Sequence, residues 1–376
     1  MRSLRLILDE LREAGLYREL RTVESAQGPR VQLDGRDVLL LCSNDYLGLA
    51  GDARLRDAAA EAAERWGAGA GASRLISGNM TPHVELEQRL AELKGTEACV
   101  LFGSGFLANT GVISALAGPG EIVVSDSLNH ASIVDGCRLA RSETKVYPHG
   151  DLDALARALD DPRPATIVTD AVFSMDGDVA PLAEIVELAR RHDARVVVDE
   201  AHATGVIGAE GRGLVHELGL QVDVAIGTLG KALGSYGAFA ACDARTAEFL
   251  VNRARTLIYS TALPPPSVGA ALKALELMDR ALVARLHANA RTLRDALGQP
   301  ASDMPIVPLH AGDPETALAR CAAALEEGVF VQAIRPPTVP PGTARLRAVA
   351  TAAHTEGELR DAAAVLTGSV IRAWPS

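Results

Sequence analysis

The sequence predicts an α/β protein in which helices wrap a large, mostly parallel sheet and a small α/β lobe follows toward the C-terminus. Three observations point there. From about residue 98 to 240, short apolar runs alternate with helix-like stretches, as expected where crossover helices join parallel strands. The runs are apolar at every position, as in Val196-Val197-Val198, which marks strands buried on both faces. An acid, histidines and a lysine stand just past several of the runs, where open α/β sheets place their ligands.

Residues 1–22 read as a surface helix with Leu4, Ile7, Leu8 and Leu11 on one face, suited to pack on the body of the protein or on a partner subunit. A β-like stretch from Val31 to Leu41 turns at Asp34-Gly35, and the polar loop CSNDYLGLA (42–50) follows, with Asn44 and Tyr46 as pocket-lining candidates. Residues 66–90 are glycine-rich at their start, but a helix-like segment precedes them where a dinucleotide fingerprint demands a strand. They read instead as a flexible loop leading into a helix that starts near Thr81-Pro82.

The next unit is sharper. Ala98 to Phe102 is strand-like, Gly103-Ser104-Gly105-Phe106 is a small-residue turn, and a helix follows. That succession makes a phosphate cradle from backbone N–H groups and the helix dipole. Glu121 to Asp126 is another strand, with His130 just beyond it. Thr166 to Asp170 is a third, with Ser174 and Asp176 on its loop. A helix after Pro181 returns the chain to the strand at Val196, which stops at Asp199 and continues as Glu200-Ala201-His202. The run Val222 to Ile226 then ends in Gly227-Thr228-Leu229-Gly230-Lys231. An acid at one strand end and a lysine at the next suit pyridoxal phosphate, whose pyridine nitrogen needs a carboxylate and whose aldehyde is carried on a lysine as a Schiff base.

Gly237 to Cys242 reads as one more strand, at the edge of the sheet. The run Pro264-Pro265-Pro266 reads as an exposed stiff break. The expected organisation is therefore an N-terminal helix and β segment over 1–44, a large domain over 45–266 and a small C-terminal domain over 267–376. In the last, Ser267 to Leu297 is helical and Ile306 to His310 is a strand. A helix from Pro314 to Glu327 is capped by Asp313 and stopped by Gly328. Strands at Phe330–Arg335 and Ala344–Ala350 precede a final helix near Glu356.

Composition narrows the function. A formal charge of −11 without a basic stripe argues against nucleic acid. Five scattered cysteines with no C-x-x-C pair fit a reducing cytoplasm, with neither a disulfide framework nor a zinc site, and no metal is expected. No segment approaches the ~20 apolar residues of a membrane span, and acids interrupt the short apolar start, so it is no signal peptide.

Together the motifs NDYLGL, ASRLISG, GSGFLANTG, NHASIVDG, FSMDGD, VDEAHATGVIG, GTLGKALGSYG and IYSTALPP resemble those of the α-oxoamine synthases. These are fold-type I pyridoxal phosphate enzymes of the aspartate aminotransferase architecture, and the resemblance runs from residue 43 to 351. Within the family, AIRPPTVPPGTARLR (333–347) is most similar to the biotin-pathway branch. The resemblance implies that Lys231 carries the cofactor and serves as acid and base at the amino acid's Cα. Asp199 pairs with the pyridine nitrogen, His202 meets the phenolic oxygen, Ser174 helps fix the ring and His130 stacks on it. Gly105, Phe106 and Thr228 place the cofactor, Thr228 as a phosphate donor. Arg347 is matched to the substrate carboxylate, Arg335 and Thr338 to the acyl substrate, with Asn44 and Arg18 (or Arg21) beside them. The implied reaction is a decarboxylative condensation of L-alanine with a pimeloyl thioester, carried on coenzyme A or an acyl carrier protein, in a homodimer. A glycine C-acetyltransferase is the alternative within the family. A silent scaffold subunit would lack the lysine, and a dinucleotide-dependent oxidoreductase lacks its fingerprint here.

Overall fold

In a computed structural model, which describes residues 3–372, the first sheet element is a hairpin of β1 (Arg30–Leu33) and β2 (Arg36–Leu40). Leu33 pairs with Arg36, so the turn is the two residues Asp34 and Gly35, both with positive φ (49° and 77°). That is the backbone twist a tight hairpin favours, and Asp and Gly are residues that tolerate it. The helix before it covers Leu4–Glu13, shorter than expected, because Gly15 takes a left-handed φ of 65° and the chain leaves the helix there. None of that helix's residues is buried, and Met1 and Arg2 lie outside the described residues.

The alternating middle of the chain forms a seven-stranded sheet of β3 (Ala98–Phe102), β4 (Ile122–Asp126), β5 (Glu143–Tyr147), β6 (Ala165–Asp170), β7 (Arg195–Asp199), β8 (Val224–Thr228) and β9 (Ala238–Cys242). Their order is β3-β9-β8-β7-β6-β4-β5, parallel except for β9, which runs antiparallel to both neighbours. Every residue of β4, β6, β8 and β9 is buried, as their apolar cores predict, and the polar residues among them include the strand-end Asp126, Asp170 and Thr228. Two expectations change. The strand after Lys231 is not an edge: the Leu229–Gly237 connection is too short for a crossover, so β9 returns antiparallel, and β3 closes the sheet beyond it. The true far edge is β5, whose polar, largely exposed ETKVY gave no apolar signal.

The glycine-rich stretch contains a π-helical turn, Arg74–Gly78, before the helix Thr81–Lys94. A Cβ at Gly78 would sit 2.2 Å from the Ala72 carbonyl oxygen, so only glycine lets the turn close. The triple proline is not an exposed break. Pro265 is buried and starts the helix Pro265–Leu277, where a missing N–H costs nothing. That helix lies close against the helix Ala53–Trp66, and a Cβ at Gly269 would meet Ala62 Cβ at 2.6 Å.

The remaining strands are β10 (Ile306–Gly312), β11 (Val329–Phe330), β12 (Gln332–Ile334) and β13 (Ala344–Val349). β10-β13-β12 is an antiparallel sheet, and β11 extends the first hairpin by pairing parallel to β2. Asp313 caps the helix Pro314–Glu326 by accepting from the Thr316 N–H at 2.8 Å, as the sequence implied. The chain falls into two compact units. One holds residues up to Gly48, Met175–Gly177 and everything from Ala284, with a core around Leu41, Leu293, Val307, Leu346 and Leu359. The other, Leu49–Ser174 and Asp178–Val283, holds the large sheet, its core built on Phe102, Val112, Val168 and Ile226. The divisions fall at 48/49 and 283/284 rather than 44/45 and 266/267. Among the described residues no helix is long and apolar enough to cross a membrane, and no cluster of side chains is suited to a metal ion.

Candidate active site

In the large-sheet unit, the parallel strands deliver their last residues to one end of the sheet. Asp170 and Asp199 are register partners at the ends of β6 and β7. Asp199 is buried, and its oxygens are both occupied: Oδ1 accepts from the Ala201 N–H at 2.7 Å and Oδ2 from Asn109 Nδ2 at 2.5 Å. A carboxylate held by two donors in a buried position keeps its aim. Asp170 is held well above the usual carboxylate range, first by burial and then by the Asp199 charge beside it, while a hydrogen bond from the His130 main chain opposes.

Lys231 follows β8. Its Nζ lies 2.8 Å from Nε2 of the buried His202. The loop carrying the lysine is tied by Thr228, whose hydroxyl donates to the Gly237 carbonyl at 3.0 Å and accepts from the Gly230 N–H at 3.2 Å. The Thr228 hydroxyl, expected to donate to a phosphate, ties the lysine's own loop in this structure. Gly105 and Phe106 open the helix Gly105–Leu116, whose N-cap Ser104 accepts from the Leu107 N–H at 3.2 Å. The N–H groups of that first turn have no helical acceptor and carry the positive end of the dipole. Phe106 is 46% exposed, so it is no core filler. Ser174 is half-buried in the loop after β6.

His130 caps the helix Ala131–Ala140: its Nδ1 accepts from the Ser132 N–H at 3.3 Å and lies 2.7 Å from Ser132 Oγ. Although the residue keeps solvent access, the protein packed around it pulls its pKa below the usual histidine value; the Asp199 charge opposes this and Lys231 reinforces it. Sequence reasoning missed Asn109, Ser132 and Asp170. A signal existed for one of them: TIVTD ends in an aspartate just as VVVD does.

The other unit carries the arginines. Along β13 the residues alternate, with Ala344, Leu346 and Ala348 in the core and Arg345 and Arg347 on the opposite face. Arg347 is buried and donates to Asn44 Oδ1 at 3.0 Å and to the Tyr46 hydroxyl at 3.4 Å. Burial pushes the Tyr46 phenol up, and the guanidinium counters it. Arg345, not foreseen, pairs with Asp176. Arg335 donates to the main-chain carbonyls of Gly15 and Tyr17, and Thr338 closes a turn onto the Arg335 carbonyl at 3.0 Å. Arg335 therefore holds the N-terminal segment in place, and Arg18 is exposed close to it.

The donor set at the sheet end fits pyridoxal phosphate. It offers an amine for the aldehyde, a buried carboxylate for the ring nitrogen, an imidazole beside the amine and a helix N-terminus for the phosphate. The comparisons agree. The family described as aminotransferase class I and II matches residues 36–366. The 8-amino-7-oxononanoate synthase of Geobacter sulfurreducens is 52% identical over 97% of both chains. Among solved structures, a serine palmitoyltransferase from S. paucimobilis with a bound PLP–myriocin aldimine superposes with a TM-score of 0.93 at 32% identity, covering 98% of this chain and 97% of that one. An 8-amino-7-oxononanoate synthase from Francisella tularensis gives 0.76 at 26% identity, covering 89% and 98%. By sequence match over nearly its full length, the chain belongs to the class I and II aminotransferase family and, within it, to the 8-amino-7-oxononanoate synthases.

Proposed function

We propose that the chain joins L-alanine to a pimeloyl thioester on pyridoxal phosphate, releasing CO2 and the free thiol and forming 8-amino-7-oxononanoate for biotin synthesis. The observation that carries this reading is the set of Lys231, His202 and Asp199 at adjacent strand ends, in a chain 52% identical to a relative of that name. The product's skeleton agrees with the substrates. A seven-carbon acyl group and a three-carbon amino acid that loses its carboxyl leave nine carbons, with amine and ketone adjacent.

Bound pyridoxal phosphate supplies an electron sink for the pair left when a proton leaves Cα. Asp199 holds the proton on the pyridine nitrogen that makes the sink effective. Lys231 Nζ would hold the cofactor and, as a free amine, would take the Cα proton, with His202 as its neighbour for proton sharing. The first turn at Gly105 and Phe106 and the Thr228 loop receive the phosphate, while His130 and Ser174 hold the ring. Arg347, preoriented by Asn44 and Tyr46, binds the amino acid's carboxylate, so its task is geometric as well as energetic. Arg335, with Thr338, serves the acyl substrate through the Gly15–Tyr17 segment it holds, and Arg18 flanks that segment. The reading includes a homodimer working in the cytoplasm.

The test is thiol release by the purified protein in four mixtures that cross L-alanine or glycine with pimeloyl-CoA or acetyl-CoA. Release confined to alanine with pimeloyl-CoA is expected. Preference for glycine with acetyl-CoA would overturn the substrates and leave a glycine C-acetyltransferase. If all four are silent, pimeloyl-acyl carrier protein with alanine must give release for the reading to stand.

A further inference from the structure

Asn109, on the helix after β3, sits between two parts of the large-sheet site that the mechanism treats separately. Its Nδ2 has two hydrogens and two acceptors: Asp199 Oδ2 at 2.5 Å and Ser132 Oγ at 2.9 Å. The amide must point this way, because the reverse would set its carbonyl oxygen against a carboxylate. Its Oδ1 is buried without a hydrogen-bond partner, which the arrangement tolerates in order to keep both donors in use.

The consequence runs on to the imidazole. Ser132 Oγ has one proton. Having accepted from Asn109, it gives that proton to the acceptor 2.7 Å away, His130 Nδ1. The Ser132 main-chain N–H, at 3.3 Å, approaches the same nitrogen as a second donor. A nitrogen that accepts from two donors carries no proton of its own.

We propose that Asn109 and Ser132 are positioning residues which hold His130 neutral, with its proton on Nε2, and lock the ring to the Asp199 carboxylate through an unbroken hydrogen-bond chain. A stacked ring that stays neutral presents a flat π-face, and one that charges would repel the protonated pyridine nitrogen Asp199 maintains. The lowered pKa of His130 agrees with this. The consequence for turnover rests on the pyridoxal phosphate reading above; the protonation state does not.

The charged groups facing His130 are Asp199 at the end of β7, Lys231 after β8 and Asp170 at the end of β6, which accepts its main-chain N–H. All three are untouched by a change at Ser132, so a titration reads the hydroxyl. The experiment is 1H–15N NMR of the full-length, histidine-labelled protein as purified, with His130 assigned from a His130→Gln sample. Ser132→Ala removes the hydroxyl donor, and Asn109→Leu releases that hydroxyl to turn and accept. Each is expected to raise the His130 pKa by about one pH unit, the size of one hydrogen bond specific to the neutral ring. Ser132→Thr, which keeps the hydroxyl, should restore the wild-type titration. A wild-type ring with its neutral proton on Nδ1 overturns the proposal, as does an unchanged titration in Ser132→Ala. Because the signal is read from the imidazole, it stands or falls separately from turnover.

Discussion

Lys231 Nζ and His202 Nε2 share a hydrogen bond of 2.8 Å, joining the loop after β8 to the turn after β7. One proton is shared between the two nitrogens, so an imidazole stands beside the amine that must act as a base. Lys231→Ala should abolish thiol release, a loss of at least about 1,000-fold, while the far-ultraviolet circular dichroism is retained. Thiol release within ten-fold of wild type would remove the lysine from the reaction.

The turn that carries His202 is flanked on both sides, at Glu200 and Thr204, by residues that hold a buried lysine. Lys94 Nζ contacts Glu200 Oε2, Thr204 Oγ1 and the Arg212 carbonyl, each at 2.8 Å, and Glu200 Oε1 accepts from the Val215 N–H at 2.9 Å. Both charged groups are excluded from water, so removing one leaves the other uncompensated. Lys94→Met should destabilise the protein by about 3–5 kcal/mol, and Lys94→Met with Glu200→Leu by less. Urea unfolding of the wild type and the two variants measures this; a double variant no better than the single one would show that the pair is not the unit.

Much of this was legible beforehand, and the exceptions have causes. Strands buried on both faces announce themselves as largely apolar runs, so β4, β6 and β7 were visible with their terminal residues, whereas the run Val222 to Ile226 stops two residues short of the end of β8 at Thr228. The β5 edge was hidden because an edge strand needs no apolar faces, and the interior place of β9 depends on its pairing with β3, a contact far away in sequence. At the site, residues whose charge has no structural use in a strand end, such as Asp199 and Lys231, stood out. Asn109 and Ser132 did not, because their roles are to bond other side chains, and a single polar residue in a helix looks the same whether it faces solvent or an aspartate. Arg335 was visible as an arginine, but its main-chain acceptors, Gly15 and Tyr17, lie too far away along the chain to be read.

His149 bridges two carboxylates, with Nδ1 3.0 Å from Asp126 Oδ1 and Nε2 2.8 Å from Asp178 Oδ2. Burial disfavours its charge, but the hydrogen bonds and charges of Asp126 and Asp178 outweigh that and raise its pKa. A histidine whose folded pKa lies above its unfolded value of about 6.5 contributes stability in full below that value and loses it as pH rises through the folded pKa. His149→Gln should therefore lower the urea midpoint clearly at pH 5.5 and much less at about pH 8.5. A deficit that is the same at both pH values would mean that the charge on His149 contributes nothing.

Arg347 donates in two directions, to Asn44 and to Tyr46, and both partners come from the loop after β2. These contacts fix the plane of the guanidinium before any substrate arrives, so a carboxylate meets a prepared, planar donor. Lysine would keep the charge and lose the plane, and its point charge cannot engage two carboxylate oxygens in the same fixed geometry. Arg347→Lys should therefore raise KM for alanine by roughly ten-fold or more, about the worth of one charge-assisted hydrogen bond, with little change in KM for the acyl thioester. Tyr46→Phe, which removes one orienting partner and keeps the guanidinium, should give a smaller rise in the same parameter. Steady-state kinetics with each substrate varied in turn separates the two cases: equal increases in both KM values would assign Arg347 to the fold of β13 rather than to the amino acid.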